Sequence, residues 1–158
     1  MQTVKQAILD LSYVMGLPRK RVNTIGRALI DADVLPKSSG RDIKKIDAAQ
    51  LGAFVAALAM AEKADEAADI AKQIMNLRLR GDPQGERFKV AFAANINTSD
   101  DEARPFVTFN RMHSGFSAEL EGRFILNGNW SEGRAPYWKQ RSWDGYTKTS
   151  FTQSKEGF

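Results

Sequence analysis

The chain has 158 residues, enough to form one domain or two small ones, each with a buried core. It contains no cysteine and a single histidine, His113, which excludes disulfides, thiolate zinc sites and multi-histidine metal sites. The formal net charge is +4, and residues 1–50 hold nine Lys and Arg against five Asp and Glu, so the positive excess lies at the start of the chain.

Two helices joined by a tight turn are predicted first. Apolar residues recur at helical spacing at Val4, Ile8, Leu11 and Met15, and Gly16 supplies a helix stop. Pro18 suits the first turn of a second helix, where its missing N–H would be unpaired in any case. One face of that helix is apolar, with Val22, Ile25, Gly26 and Leu29, and the opposite face is polar, with Lys20, Asn23, Thr24, Arg27 and Asp31. The segment 34–36 ends in a proline and closes the helix.

A basic hairpin and two further helices are expected next. The stretch 37–45 has a turn signal at Ser39 and Gly40 with positive charge on both sides, which is typical of a wing. Asp47 is expected to cap a helix whose apolar stripe is Leu51, Phe54, Val55 and Leu58. A last helix is expected from Asp65 to Leu79, and its small residues permit close packing within the chain or across a dimer. The dimer is the expectation, through a stripe of Ala68, Ala71, Ile74 and Met75 that would pair with a second copy of the chain.

The second half of the chain favours strands. Gly81 to Gly85 is the best candidate for a linker. Beyond it, alternation of Phe88, Val90 and Phe92 predicts a strand, and two further strands, at 106–109 and 116–126, are expected around a turn at 113–115. The sequence therefore predicts an α+β protein, with an all-α winged helix-turn-helix module at 1–80 and a small β-rich domain at 86–158.

The order of these elements resembles the MerR-like winged-helix proteins, and also the N-terminal modules of many phage and prophage proteins. The residues that carry the resemblance are Ile8, the Gly16-Leu17-Pro18 turn, Val22, Arg27, Leu29, Leu35, Gly40-Arg41 and the helix from Asp47 to Leu58. The resemblance covers roughly the first half of the chain. The aromatic residue that usually follows the basic position of the MerR-like helix is missing here, since Ala28 and Leu29 follow Arg27.

DNA contacts are expected from residues of the second helix and the hairpin: Arg19, Lys20, Arg21, Asn23, Thr24, Arg27, Lys37, Ser38, Arg41, Lys44 and Lys45. Asn23 and Arg27 are the candidates for base contacts, because Asn can pair bidentately with adenine and Arg with guanine. The residues expected to contact phosphate and to supply affinity and register are Lys20, Arg21, Lys37, Arg41, Lys44 and Lys45.

Other candidate sites favour structural roles. Asp100 to Glu102 is interpreted as a solubilising loop rather than a cation site, and His113 beside Ser114 as a surface turn. An aromatic and basic tail either stacks on nucleic-acid bases or anchors a protein partner, or else fills the core of the second domain: Arg134, Tyr137, Trp138, Lys139, Arg141, Trp143 and Tyr146.

The expected function is sequence-specific binding of double-stranded DNA by a non-enzymatic homodimer, without a cofactor or a membrane segment. The expected setting is the cytoplasm of a bacterial host, where a phage or prophage regulator would control transcription and its β-rich domain could contact a protein such as polymerase. Two alternatives stay open. One is a small-terminase-like DNA-packaging protein, and the other is a phage-encoded protein inhibitor of a host enzyme.

Overall fold

The computed structural model describes residues 2–79, 87–98, 106–112, 115–123 and 146–152. These residues form helices and a small antiparallel sheet, so the fold is α+β as predicted. The chain divides into a first unit, Met1–Asn76, and a second unit, Leu77–Phe158. The predicted linker, Gly81 to Gly85, lies outside the described residues.

The first two helices follow the sequence signals closely. Helix α1 spans Val4–Met15, and the Thr3 hydroxyl caps it by accepting a hydrogen bond from the Gln6 N–H at 3.2 Å. Gly16 ends the helix with φ of 65°, a left-handed conformation that glycine adopts without steric cost. Helix α2 spans Arg19–Asp31 and begins directly after Pro18. Its predicted apolar face is buried.

The basic stretch after α2 forms a tight turn closed by a single bridge. Ser39 and Asp42 exchange two backbone hydrogen bonds, of 3.2 and 2.9 Å, around Gly40, whose φ is 54°. Further along, Lys45 bridges to Thr3, and the Ile46 N–H donates to the Gln2 carbonyl at 2.9 Å. Residues 37–45 therefore form a pinned turn rather than a pair of strands.

Helix α3 spans Ala48–Met60 and begins with the predicted cap at Asp47. The Asp47 carboxylate accepts from the Gln50 N–H at 2.7 Å, and the Gln50 side chain accepts from the Asp47 N–H at 3.0 Å, which completes a capping box. The helix is buried on most of its circumference, and the buried residues are Gly52, Ala53, Phe54, Ala56, Ala57 and Leu58.

Gly26, on α2, lies close to side chains of both α1 and α3. A Cβ at this position would be 3.1 Å from Cζ of Phe54 and 3.4 Å from Cδ1 of Ile8. Ordinary carbon contacts are longer than the first of these distances, and Phe54 is fully buried. The missing side chain of Gly26 therefore allows the three helices to pack.

The last helix of the first unit is shorter than predicted. A 3-10 turn at Ala64–Glu66 leads into α4, Ala67–Met75, and strand β1, Arg78–Leu79, begins three residues after the helix ends. The small residues of α3 allow α4 to pack against it, and Ala71, Ile74 and Met75 are buried within the unit. The prediction that this stripe is free to pair with a second copy was therefore wrong.

The second unit contains a four-stranded antiparallel sheet. After β1 come helix α5, Phe88–Thr98, and strands β2, Phe106–Met112, β3, Gly115–Arg123, and β4, Tyr146–Thr152. The order across the sheet is β1-β4-β3-β2. The predicted hairpin is confirmed, because β2 and β3 pair from Phe106↔Glu121 to Met112↔Gly115.

The strand predicted at Phe88, Val90 and Phe92 was wrong, because these residues begin helix α5. Phe88, Ala91 and Phe92 are buried and occupy helical positions i, i+3 and i+4, whereas Val90 is exposed. The Phe88 ring contacts the rings of Phe92, Phe109 and Phe151 at centroid distances of 5.7, 5.9 and 5.3 Å. This aromatic cluster joins α5 to the sheet.

Candidate nucleic-acid interface

An open groove of about 1120 Å³ lies in the first unit between the start of α1, one side of α2 and the segment 36–43. The residues that line it are Thr3, Val4, Lys5, Ile8, Arg19, Lys20, Asn23, Arg27, Ile30, Pro36, Lys37, Ser38 and Ile43. The Thr3–Lys45 bridge and the Ile46–Gln2 hydrogen bond hold the segment after α2 against the start of α1. The groove is thus built by chain segments that are distant in the sequence.

One side of α2 forms a continuous wall of the groove. At 3.6 residues per turn, its five lining residues fall within an arc of about 100°. They are Arg19, Lys20, Asn23, Arg27 and Ile30. The apolar face of α2 points into the core, so this polar side is held in a fixed orientation toward the groove.

The groove is strongly cationic. Lys5, Arg19, Lys20, Arg27 and Lys37 line it and are all exposed, and no Asp or Glu is among the described residues of the lining. None of these five side chains forms an ion pair within the part of the chain that the structure describes. Five like charges without counter-charges raise the local positive potential and favour an anionic ligand.

Apolar side chains make up much of the remaining surface. Val4, Ile8, Ile30, Pro36 and Ile43 lie in the lining among the cations. Most of them are at least half-buried, but Ile43 is 66% exposed. The groove therefore presents both charge and apolar surface to a ligand.

The structure places six of the predicted DNA-contacting residues together in the groove: Arg19, Lys20, Asn23, Arg27, Lys37 and Ser38. Arg21 lies outside the lining, and its side chain binds the backbone of another segment of the first unit. Its guanidinium donates to the carbonyl oxygens of Ala61, at 2.6 Å, and Glu62, at 3.5 Å, just after α3. Arg21 thus links α2 to the segment that follows α3.

The other four predicted residues also lie outside the lining. The Thr24 hydroxyl donates to the Lys20 carbonyl at 2.8 Å, within α2. Lys44 Nζ is 4.0 Å from a carboxylate oxygen of Asp42, a weak and solvent-exposed pair. Arg41 and Lys45 are exposed on the pinned turn.

Sequence reasoning missed the contribution of α1 to this groove. Thr3, Lys5 and Ile8 lie in the lining, although no local signal links them to α2. Helical geometry does separate Arg21 from the groove residues of α2, because Arg21 lies on one side of the apolar face and Arg19 and Lys20 lie on the other. Counting positive charge along the chain does not make this distinction.

Other predicted features lie outside the described residues or add no site. Asp100 to Glu102, His113 and the aromatic tail before Tyr146 are not among the residues described. Within the described ranges, no three or more His, Cys, Asp or Glu side chains are grouped to hold a metal ion.

None of the described helices combines the length and apolarity needed to cross a membrane. Comparison with protein-family models, with curated proteins and with solved structures found no match to this chain.

Proposed function

We propose that the first unit acts as a winged helix-turn-helix module that binds double-stranded DNA sequence-specifically, in a phage or prophage regulator of transcription. The observation that carries the proposal is the convergence of five cationic side chains on one groove. Among the residues that the structure describes, these side chains form no ion pair and no acidic residue lines the groove. Such a surface is typical of proteins that bind DNA. Each phosphate that a cation neutralises releases condensed counterions, and this release favours binding.

The polar side of α2 supports sequence-specific contacts as well as phosphate contacts. Arg19, Asn23 and Arg27 are spaced four residues apart and lie in one row on the helix. Asn23 is half-buried and Arg27 is exposed, so Arg27 can extend to a base edge from a helix that the core holds in place. In this proposal Arg27 contacts guanine and Asn23 contacts adenine.

Selection of bound fragments from a pool of random duplexes tests the proposal. Enrichment of a common sequence would support it, and paired half-sites in that sequence would indicate two copies of the protein on the DNA. Arg27→Ala should lower the preference for the selected duplex over a scrambled one by about 1–3 kcal/mol, because it removes a base contact. Lys72→Ala, which changes an exposed residue outside the groove, is the control.

Two results would contradict the proposal. One is that the wild-type protein enriches no sequence, and the other is that its affinity for duplexes does not depend on the salt concentration. Equal losses for the selected and scrambled duplexes in Arg27→Ala would place Arg27 on phosphate and overturn its role in base contact.

A second candidate is binding of an acidic protein, as in an inhibitor of a host enzyme. The apolar side chains of the groove favour it, because phosphate contacts leave such surface unused. Capture from a bacterial lysate before and after nuclease treatment separates the two functions. A partner that persists after nuclease treatment, combined with no enrichment of duplexes, would favour the protein ligand.

A further inference from the structure

We infer that Ile43 inserts as an apolar wedge between base pairs of the bound duplex and bends it, an inference that rests on the DNA binding proposed above. Ile43 is 66% exposed, and the part of the chain around it is strongly basic. Inserted aliphatic side chains of this kind partly unstack a base step and kink the duplex.

The position of Ile43 fits a wedge better than a core residue. Its side chain is one of the groove's lining residues, as are the five cations proposed to contact phosphate. Three exposed cations lie within two residues of Ile43 in the sequence: Arg41, Lys44 and Lys45. The nearby carboxylate of Asp42 lies 4.0 Å from Lys44 Nζ, so its charge is partly compensated. Contacts of the cations to phosphate would bring Ile43 to the base steps.

The backbone that carries Ile43 is held on both sides. Before it, Ser39 and Asp42 are joined by two backbone hydrogen bonds, and after it the Lys44 N–H donates to the Ser38 hydroxyl at 3.1 Å. The bridge from Lys45 to Thr3 ties the same segment to the start of α1. A segment fixed in this way loses little conformational entropy on binding and can transmit force to the DNA.

The bend angle of the bound duplex tests the wedge. Dyes on both ends of a duplex obtained by selection report the angle through energy transfer, and 2-aminopurine placed at successive steps reports unstacking. The wild-type protein should bend the duplex by about 20–90°, the range found for wedge insertion. Ile43→Ala should remove about half of the bend or more, and Ile43→Leu, which keeps an aliphatic side chain, should restore it.

A matched control is Val14→Ala, since Val14 is 77% exposed on α1 and does not line the groove. This variant should bend DNA as the wild type does. A wild-type complex with straight DNA, or an unchanged bend in Ile43→Ala, would overturn the wedge while leaving DNA binding intact. If the wild-type protein binds no duplex at all, the proposed function and the wedge both fail.

Discussion

The salt dependence of DNA binding should change when cations are removed from the groove. Its lining holds five cationic side chains, and if each neutralises one phosphate, log K should fall against log salt with a slope of about −4.5. Replacing Arg19 and Lys20 together by Ala removes two of these contacts, which leaves a slope of about −2.7. Between about 50 and 200 mM salt, the wild type should lose affinity about 500-fold and the variant about 40-fold.

Fluorescence anisotropy of a labelled duplex, titrated at several salt concentrations, measures these slopes. Two variants serve as controls. Lys72→Ala removes an exposed charge from α4, and Arg21→Ala removes a charge from α2 that is bound to the Ala61 carbonyl. Both should keep the slope of the wild type. If the Arg19 and Lys20 variant shows the wild-type slope, or if the Arg21 variant loses as much as it does, the groove is not the phosphate-binding surface.

Substitutions at three further positions test the packing and capping of the first unit. Gly26→Ala should lower the free energy of unfolding by about 1 kcal/mol in urea denaturation, because overpacking against buried Phe54 costs about 1–3 kcal/mol and exceeds the gain in helix propensity. An increase in stability would contradict the close packing at Gly26. Ile74→Glu should unfold the unit, since Ile74 is fully buried, and far-UV circular dichroism should show loss of helix rather than a folded monomer. Asp47→Ala should cost about 1 kcal/mol and Asp47→Asn much less, as both Asp and Asn cap helices; equal losses in urea midpoints would exclude the cap as the cause.

Local signals predicted the first helices well. Gly16 ends α1 because the required positive φ disfavours other residues, and Pro18 starts α2 because its fixed φ suits a first turn. Asp47 caps α3 through a hydrogen bond to a residue three positions away. Each of these features depends on a few neighbouring residues, so the start or end of each helix can be predicted from the local sequence.

Tertiary contacts decided the elements that sequence reasoning missed. Phe88, Val90 and Phe92 alternate as in a strand, yet Phe88, Ala91 and Phe92 also fit a helix, and the choice depends on the rings of Phe109 and Phe151. The stripe around Ile74 is buried because α3 offers small side chains to it. Helical periodicity shows that a face is apolar, but not whether it packs within the chain or against another.

The candidate site was predicted in part for the same reason. Its α2 residues follow from an amphipathic pattern. Lys5 and Ile8 join them because α1 packs against α2, and Lys37 and Ile43 join them because the chain returns from α2 to the start of α1. Such long-range pairing has no local signature.

The two links at Gln2 and Thr3, to Ile46 and Lys45, have a practical consequence for handling the protein. A synthetic peptide of residues 16–45 would contain the α2 side of the groove and its turn. It would lack Gln2 and Thr3, to which the segment after α2 is anchored, so it should be a poor substitute for the whole unit. An affinity tag or dye joined immediately before Gln2 would be attached next to the hydrogen bond between Gln2 and Ile46, which helps to hold the groove together. Labels for binding measurements are therefore better attached to exposed positions of α4, such as Lys72.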